Sequence, residues 1–133
     1  MINRPTEIGT DGLAGVVVNG QRYVNLSPTA VKIRSLDVLL PRSGKVLSVQ
    51  KNYADTCDPD GIRAVEFDLS RLGGAPRYAD ENTDMDLDAI YVVDALTAMY
   101  LHVSQNYLID LQFAYPDGNS WGVEYNELCQ YAS

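Results

Sequence analysis

The chain has 133 residues, of which 46% are hydrophobic and 21% charged, values typical of a globular domain that can build its own core. No apolar run approaches the roughly 20 residues that a membrane-spanning helix needs, and the first residues lack the apolar stretch of a secretory signal. These features exclude a disordered chain and a protein with helical membrane spans, and they predict a cytoplasmic protein.

Charge is divided unevenly along the chain, whose formal net charge is −8. Residues 1–77 contain all ten Lys and Arg together with eight Asp and Glu, whereas residues 78–133 contain ten acids and no Lys or Arg. The acidic part repels phosphate backbones, so direct binding to nucleic acid is disfavoured. The basic part could bind a small anion or an acidic protein surface. Alternatively, the two parts form solvated faces of opposite sign that attract one another.

The first strands follow an N-terminal arm, which we expect to be loosely ordered over residues 1–12. Residues 13–24 read LAGVVVNGQRYV, in which Asn19-Gly20 separates two apolar runs. Asn-Gly readily adopts the positive φ angles of a tight two-residue turn. The sequence therefore predicts a hairpin with strands over about 14–18 and 21–26.

A proline interrupts the next apolar stretch, VNLSPTAVKI. Proline fixes φ and cannot donate to a sheet ladder, so Pro28 predicts a corner between two strands rather than one continuous strand. The strand after the corner is expected over 30–36, where alternation places Lys32 and Arg34 side by side on one face. The corner thus lies beside the basic part of the chain.

Further short strands are expected in the middle of the chain. They are apolar or alternating runs bounded by turn-forming residues, and we place them at 38–40, 45–49 and 62–69. Between and after them, composition predicts a turn over 41–44, a loop over 52–61 and an irregular segment over 70–84. We find no linker that divides the chain, so a single domain is expected over residues 1–133.

The stretch DAIYVVDALTAMYLHVS, residues 88–104, allows two interpretations. One helix through the whole stretch would align apolar residues three and four positions apart in a stripe. In the alternative, which we prefer, the β-branched and aromatic run forms a strand over 89–93, Asp94 caps a helix, and that helix covers 95–104.

A turn-forming sequence near the C-terminus, Pro116-Asp117-Gly118-Asn119, separates the apolar runs 108–115 and 121–125 and predicts a second hairpin. Taken together, these elements predict an α+β fold. It would consist of a mostly antiparallel β-sheet with two hairpins and one α-helix near 95–104. A barrel-like closure of the sheet is one arrangement that this pattern allows.

The sequence contains no recognisable motif for catalysis or for a cofactor. His102 is the only histidine and falls near the C-terminal end of the expected helix, where the helix dipole favours positive charge. Cys57 and Cys129 are expected to be unrelated reduced thiols. We therefore predict no catalytic residue, no cofactor and no metal.

Two acidic runs could suggest a cation site. Residues 80–91 offer oxygen ligands at alternate positions, as an EF-hand does, but Met85 stands where a glycine is needed and Tyr91 where a bidentate Glu is needed. The run DTCDPDG, residues 55–61, has the composition of a turn. A loose divalent site stays open in both runs. We interpret the first run as a solvated acidic loop that could meet a basic partner, with its surface formed by Asp80, Glu81, Asp84, Asp86 and Asp88.

The stretch YVNLSPTAVKI, followed by LPRSGKV, resembles the opening of a family of small phage and prophage proteins. In that family a strand carries an Asn-Leu-Thr-Pro-His signature, and an Ile-Pro-Pro-Ser-Gly turn follows it. Here Pro28 matches, Ser27 and Thr29 stand for the Thr and the His, and Arg42 stands for a Pro. DAIYVVDALTAM is similar to the family's strand that leads into a helix. The resemblance implies a phage source and this strand-to-helix topology rather than a reaction.

We expect, from these observations, a non-enzymatic, phage-encoded accessory protein that acts by binding in the host cytoplasm. It would inhibit a host defence or regulatory protein, or sequester an anionic nucleotide signal. The alternatives are a structural or assembly protein of the phage particle that forms a homo-oligomer, and a small hydrolase. Neither nucleic acid nor a membrane is expected as a partner. The candidate residues for binding a small anion are Arg22, Ser27, Thr29, Lys32, Arg34 and Arg42.

Overall fold

A computed structural model of the chain describes residues 5–72, 85–103, 111–118 and 124–132. In chain order its elements are β1 (Glu7–Ile8), β2 (Ala14–Val18), β3 (Gln21–Asn25), β4 (Val31–Ile33), a 3₁₀ turn (Arg34–Leu36), β5 (Val38–Leu40), β6 (Val46–Tyr53), β7 (Val65–Leu72), β8 (Ile90–Val92), α1 (Ala95–Val103), β9 (Gln112–Asp117), β10 (Glu124–Tyr125) and β11 (Glu127–Cys129). None of the helical structure in this part of the chain is long and apolar enough to cross a lipid bilayer.

The strands form three sheets. The largest has the order β1-β2-β3-β8-β9-β11, in which β3–β8 and β8–β9 are parallel and the other neighbours antiparallel. A second sheet has the order β10-β4-β5, with β4 parallel to β10, and β6 pairs with β7 in the third. The α+β class with one helix is confirmed for the described residues. The mostly antiparallel sheet and the barrel-like closure are not confirmed, because the two larger sheets are mixed and the described strands form no closed barrel.

The parallel pairing of β8 with β9 arises because α1 lies between them in the chain. A helix between two strands returns the chain to the starting edge, so the second strand runs parallel to the first. β3 then pairs in parallel with β8 on the other side, with Val24 opposite Tyr91. Such pairing joins segments far apart in the sequence, and hairpin signals, which are local, do not indicate it.

One of the two predicted hairpins forms as expected. β2 and β3 are joined by Asn19 and Gly20, whose φ angles of 51° and 81° are the positive values that the turn requires. The second hairpin is not confirmed: β9 pairs with β11, β10 joins β4 in another sheet, and residues 108–110 and 121–123 of the predicted strands lie outside the described residues. Pro116 lies within β9 instead of in a turn, two residues beyond the last residue that β8 pairs.

The predicted strand, cap and helix near residue 90 are confirmed. The Asp94 carboxylate accepts a hydrogen bond from the Thr97 N–H at 2.8 Å, as an N-cap does, and α1 follows directly. The alternative of one helix over 88–104 is wrong, because its first residues form β8. The strand expected over 30–36 is shorter, since its second half turns into the 3₁₀ segment.

The core lies on both faces of the six-stranded sheet. On one face, side chains of the sheet pack with α1 and with the start of β6; this cluster includes Val24, Leu26, Leu47, Tyr91 and Leu101. On the other face, they pack with β4 and β5; this second cluster includes Val16, Val18, Ile33, Val38 and Val92. The two clusters and the sheet between them are called the body below. Three layers with two apolar interfaces explain why so many valines are fully buried.

Candidate functional site

Arg22, the first of the predicted anion-binding residues, is held in a buried ion-pair cluster. It lies on β3, where its two terminal guanidinium nitrogens donate to the two carboxylate oxygens of Asp11 at 2.8 Å each. One of them also donates to Asp86 at 3.1 Å, and the other to the Leu13 carbonyl at 2.7 Å. The Arg22 side chain is 12% exposed and that of Asp11 is fully buried. Its charge is therefore balanced inside the protein.

The phenol of Tyr91 completes this cluster. It donates to Asp11 at 2.6 Å and accepts from the Asp86 N–H at 2.8 Å. Burial, followed by the hydrogen bond to Asp11, raises the pKa of Tyr91. Burial alone would raise the pKa of Asp11 as well, but hydrogen bonds from Arg22, Tyr91 and the Leu13 N–H outweigh it and hold that pKa below its ordinary value. These hydrogen bonds and ion pairs link the loop between β1 and β2 to β3 and β8, so the cluster has a structural role.

Asn25 organises the corner around Pro28. Its amide donates to the carbonyls of Thr29 and Leu40 at 2.8 and 3.1 Å, and its side-chain oxygen accepts from the Ser27 N–H at 2.9 Å. The Ser27 hydroxyl lies 2.6 Å from the same oxygen. Ser27 is therefore buried and bonded within the corner, while Pro28 and Thr29 are exposed. Sequence reasoning missed Asn25, although Asn-x-Ser before a proline is the pattern of an Asx-turn.

Two of the remaining basic candidates, Lys32 and Arg34, lie at the β10-β4-β5 sheet. Lys32 is on the outer face of the β10-β4-β5 sheet, opposite Glu124 in the β4–β10 pair. Arg34 donates to Glu124 at 2.9 Å and to Asn126 at 3.3 Å. The hydrogen bond from Arg34 to Glu124, followed by the positive charge of Arg34, lowers the pKa of Glu124. Arg42 is exposed just after β5. The six-stranded sheet thus separates Arg22 from Lys32 and Arg34, whereas the backbone of Arg42 bridges to Asn25 on β3, the strand that carries Arg22.

The predicted acidic partner surface is only partly described. Asp80, Glu81 and Asp84 lie outside the described residues. Asp86 pairs with Arg22, and its other carboxylate oxygen accepts the Asp88 N–H at 2.9 Å. These contacts of Asp86 and Asp88 therefore stabilise the fold itself. Their wider role as a partner surface stays a prediction.

A third cluster joins two carboxylates and a thiol at the edge of the six-stranded sheet. Ligand atoms of Asp117, Glu127 and Cys129 lie within 4.8 Å of one another. Burial followed by the charges of the two acids raises the pKa of Cys129, so its thiol is protonated and less nucleophilic at neutral pH. Both cysteines are free, as predicted. Among the described residues this is the group most able to hold a divalent cation, although its acids are exposed and its thiol would have to lose its proton.

Aromatic rings extend this edge. Tyr131 stacks on Tyr115 with ring centroids 5.0 Å apart and on His102 with centroids 5.4 Å apart. His102 lies in the last turn of α1, as the sequence predicts. Its ring is engaged by Tyr131 rather than by a nucleophile among the described contacts.

The candidate contact site is formed by the antiparallel pair β6–β7 and the loop that connects the two strands. We call the pair and its loop the ribbon. Its eight residue pairs run from Val46–Leu72 to Tyr53–Val65. At the start of β6, Leu47 is fully buried, and the Val49 N–H donates to the buried Thr97 hydroxyl of α1 at 2.9 Å. From residue 50 to residue 67 every residue of the ribbon is exposed. The ribbon is therefore anchored in the body at one end and projects from it at the other.

One face of the projecting half carries three large apolar side chains and one lysine. Residues directly opposite in an antiparallel pair share a face, so Lys51 and Phe67 lie beside Tyr53 and Val65 on the side that continues from Leu47. Tyr53 is 58% exposed, Phe67 47% and Val65 39%. We call these four residues the ribbon face. The opposite face of the projecting half carries Gln50, Asn52 and Glu66.

The loop at the tip of the ribbon is a tight hydrogen-bonded turn. The Asp58 carboxylate accepts from the backbone N–H groups of Asp60 and Ile62 at 3.0 and 2.9 Å, and Gly61 has a positive φ of 81°. The turn composition that the sequence indicates is therefore confirmed, and it accounts for Asp58 without a cation. Ile62, which is 66% exposed, adds an apolar side chain at the tip.

Comparisons with protein-family models, with curated proteins and with solved structures find no match to this chain.

Proposed function

We propose that the protein acts by binding another protein, with the ribbon face as its contact surface, and that it has no catalytic role of its own. The exposed apolar face of the ribbon carries this proposal. In the setting that the phage resemblance suggests, it is an accessory protein of the host cytoplasm. Its binding would inhibit a host protein or assemble a complex.

The ribbon face has the properties of a contact surface. Large apolar side chains exposed together mark interaction sites more often than isolated ones do, and aromatic residues supply much of the binding energy at such sites. A two-stranded ribbon is marginally stable alone, so one that projects from its body gains stability when a partner covers it. Tyr53, Val65 and Phe67 meet both conditions.

The nucleotide-binding version of this hypothesis has less support. Asp11 and Asp86 balance the charge of Arg22, Glu124 accepts from Arg34, and the Ser27 hydroxyl is bonded within the corner. Such a site would have to rely on Lys32 and Arg42. Calorimetric titration with a panel of nucleotides tests it, and a measurable heat that an Arg42→Ala substitution abolishes would revive it.

A small hydrolase has the least support. The only histidine stacks on Tyr131, and the Cys129 thiol has a pKa raised by burial and by the nearby carboxylates. A nucleophilic cysteine needs the opposite surroundings, which lower its pKa.

A binding experiment with matched variants tests the proposal. The immobilised protein is incubated with lysate of a bacterial host, and the capture of each retained protein is compared between wild type and the Tyr53→Ser/Phe67→Ser variant. The control is Met99→Ser/Val103→Ser, which removes two exposed apolar side chains from α1. We expect the ribbon variant to lose saturable binding and the control to keep it. Equal capture by all three proteins, together with no self-association of the chain that the ribbon variant weakens, would refute the proposal.

A further inference from the structure

We infer that the partner of the ribbon face is a second copy of this chain, and that two ribbons pack face to face and antiparallel about a twofold axis near Tyr53 and Val65. This inference rests on the proposed function and specifies its partner. It identifies a homodimer contact that uses the projecting half of each ribbon. The body keeps its own core in the dimer.

The order of side chains along the ribbon supports a twofold arrangement. From the body outward the face presents the cation Lys51 with Phe67, then the apolar pair Tyr53 and Val65, and then the acidic tip. The tip begins at Asp55 and includes Asp58 and Asp60, with Arg63 as its single base. Charge therefore changes from positive to negative along the face, with apolar side chains between.

A surface with that order is complementary to itself only when the second copy is reversed. In an isologous contact the same patch is used twice, so residue i of one copy meets residue j of the other and j meets i. With the axis near Tyr53 and Val65, Lys51 of each copy lies opposite Asp55 of the other, at about two residues or 7 Å from the axis on either side. A parallel arrangement would place Lys51 against Lys51 and the acidic tips together, which is repulsive.

The apolar part of the face supplies the contact energy in this arrangement. Tyr53 and Val65 would pack against their own equivalents, and Phe67 against the base of the opposing tip. Exposed apolar area is the part of the surface that gains most by being covered. Because the projecting half is short, we expect a weak dimer with a dissociation constant in the range of about 1–100 µM.

The oligomeric state and its dependence on the ribbon face test the apolar part of the inference. Sedimentation equilibrium of the full chain should give a mass that rises from monomer to dimer with concentration. Phe67→Asp should weaken the dimer by about 100-fold, because it places a charge in the covered face. Met99→Asp, on the exposed side of α1, should leave the dissociation constant unchanged. A monomer at every concentration up to roughly 1 mM would overturn the inference.

Two charge reversals test the antiparallel register. Lys51→Glu and Asp55→Lys should each weaken the dimer, by about tenfold, because each replaces two attractive pairs by repulsive ones. An equimolar mixture of the two variants should dimerise as well as wild type. In the mixed dimer the introduced glutamate of one chain meets the introduced lysine of the other, while the native pair forms at the other end. If the mixture is no better than either variant alone, this register is wrong.

The same variants show whether this inference alone has failed or whether the proposed function has failed as well. A strictly monomeric chain that still captures a host protein through Tyr53 and Phe67 would leave the binding function standing with a different occupant. A monomer without ribbon-dependent capture would overturn both. A dimer that Phe67→Asp does not affect would place the contact elsewhere and would also overturn the inference.

Discussion

The body and the ribbon are both built from strands with alternating side chains, yet apolar residues are buried in the body and exposed on the projecting half of the ribbon. In the body, Val24 and Ile33 are fully buried, because each face of the six-stranded sheet is covered by another layer. In the ribbon, Tyr53 and Phe67 are about half exposed, because no described element covers the sheet beyond Val49. Stability of the fold explains the first set of residues, whereas the second set forms the surface that the proposed partner would cover.

Buried polar groups show the same contrast. The body holds Asp11, Asn25, Ser27 and Thr97 almost completely buried, and each has a hydrogen-bond partner, that of the Thr97 hydroxyl being the Val49 N–H at the anchored end of the ribbon. The projecting half of the ribbon has exposed polar side chains instead. Changes in the body should therefore affect the free energy of unfolding, and changes in the ribbon should affect association.

The largest effect is expected from Asp11→Ala. The substitution leaves the Arg22 guanidinium buried with Asp86 as its remaining charged partner and removes the acceptor of the Tyr91 hydroxyl. Breaking a buried pair from one side costs about 3 kcal/mol or more of unfolding free energy. Urea unfolding followed by circular dichroism measures it, with Asp60→Ala at the exposed tip as a control that should change little. Equal effects of the two substitutions would mean that the cluster is open to solvent.

The next largest effect is expected from Asn25→Ala. This substitution removes the amide donor to the Thr29 and Leu40 carbonyls and the acceptor of the Ser27 N–H, and only the Thr29 carbonyl keeps the Ser27 hydroxyl nearby, so the cost is about 2–3 kcal/mol. Pro28→Ala is the matched control. Pro28 is exposed at the same corner, and its ring mainly restricts the conformations of the unfolded chain. Its replacement should therefore cost less than about 1 kcal/mol of unfolding free energy. If the proline change costs more than the asparagine change, the ring and not the amide holds the corner.

Local signals in the sequence predicted the elements of the body well. Asn19-Gly20 and the Asp94 cap act within a few residues, and both are found where expected. Sheet order was not predictable in the same way, because β3 pairs with β8 and β10 with β4 across long separations in the sequence. The loop is expected to begin at residue 52, but in the structure it begins later, because β6 continues to Tyr53 by pairing with β7.

The candidate site was less predictable than the fold. Alternation in the segment that forms β7 places Val65 and Phe67 on one face, but it does not indicate whether another element covers that face. The basic residues gave a clear pattern in the sequence, but Arg22 and Arg34 each face carboxylates that come from distant segments. Charge runs therefore predicted attraction between parts of the chain better than they predicted a ligand.

Tyr91→Phe should have a moderate effect with a characteristic pH dependence. Loss of the hydroxyl removes a donor to Asp11 and an acceptor for the Asp86 N–H, at a cost of about 1–2 kcal/mol near neutral pH. The pKa of Tyr91 is raised in the folded state, so its contribution is present below the ordinary phenol pKa of 10.0 and is lost as the pH rises through the higher folded-state pKa.

The unfolding midpoint in urea, measured at pH 7 and above pH 10, tests this sign. The wild type should lose stability over that interval, and Tyr91→Phe should lose less of it. Asp11 has the opposite dependence, because its lowered pKa makes its contribution present above the ordinary carboxyl pKa and lost as the pH falls through the folded-state pKa. Tyr53→Phe, an exposed tyrosine, is the control and should follow the wild type. Identical alkaline loss in Tyr91→Phe and wild type would contradict the role given to the buried phenol.

The smallest change in stability is expected from Tyr53→Ser/Phe67→Ser, measured on dilute protein that is monomeric. Because both side chains are about half exposed, their loss should change the unfolding free energy by less than about 1 kcal/mol, far below the cost of a core truncation such as Ile33→Ala at about 2–5 kcal/mol. Native-state hydrogen exchange should show the amides of the projecting half opening more readily than those of β3 and β8, and slowing when the concentration is raised in wild type but not in the variant. A double substitution that costs as much as Ile33→Ala would mean that the ribbon face is covered within the monomer. The distinction between the two regions would then fail, because the ribbon would belong to the core of the body.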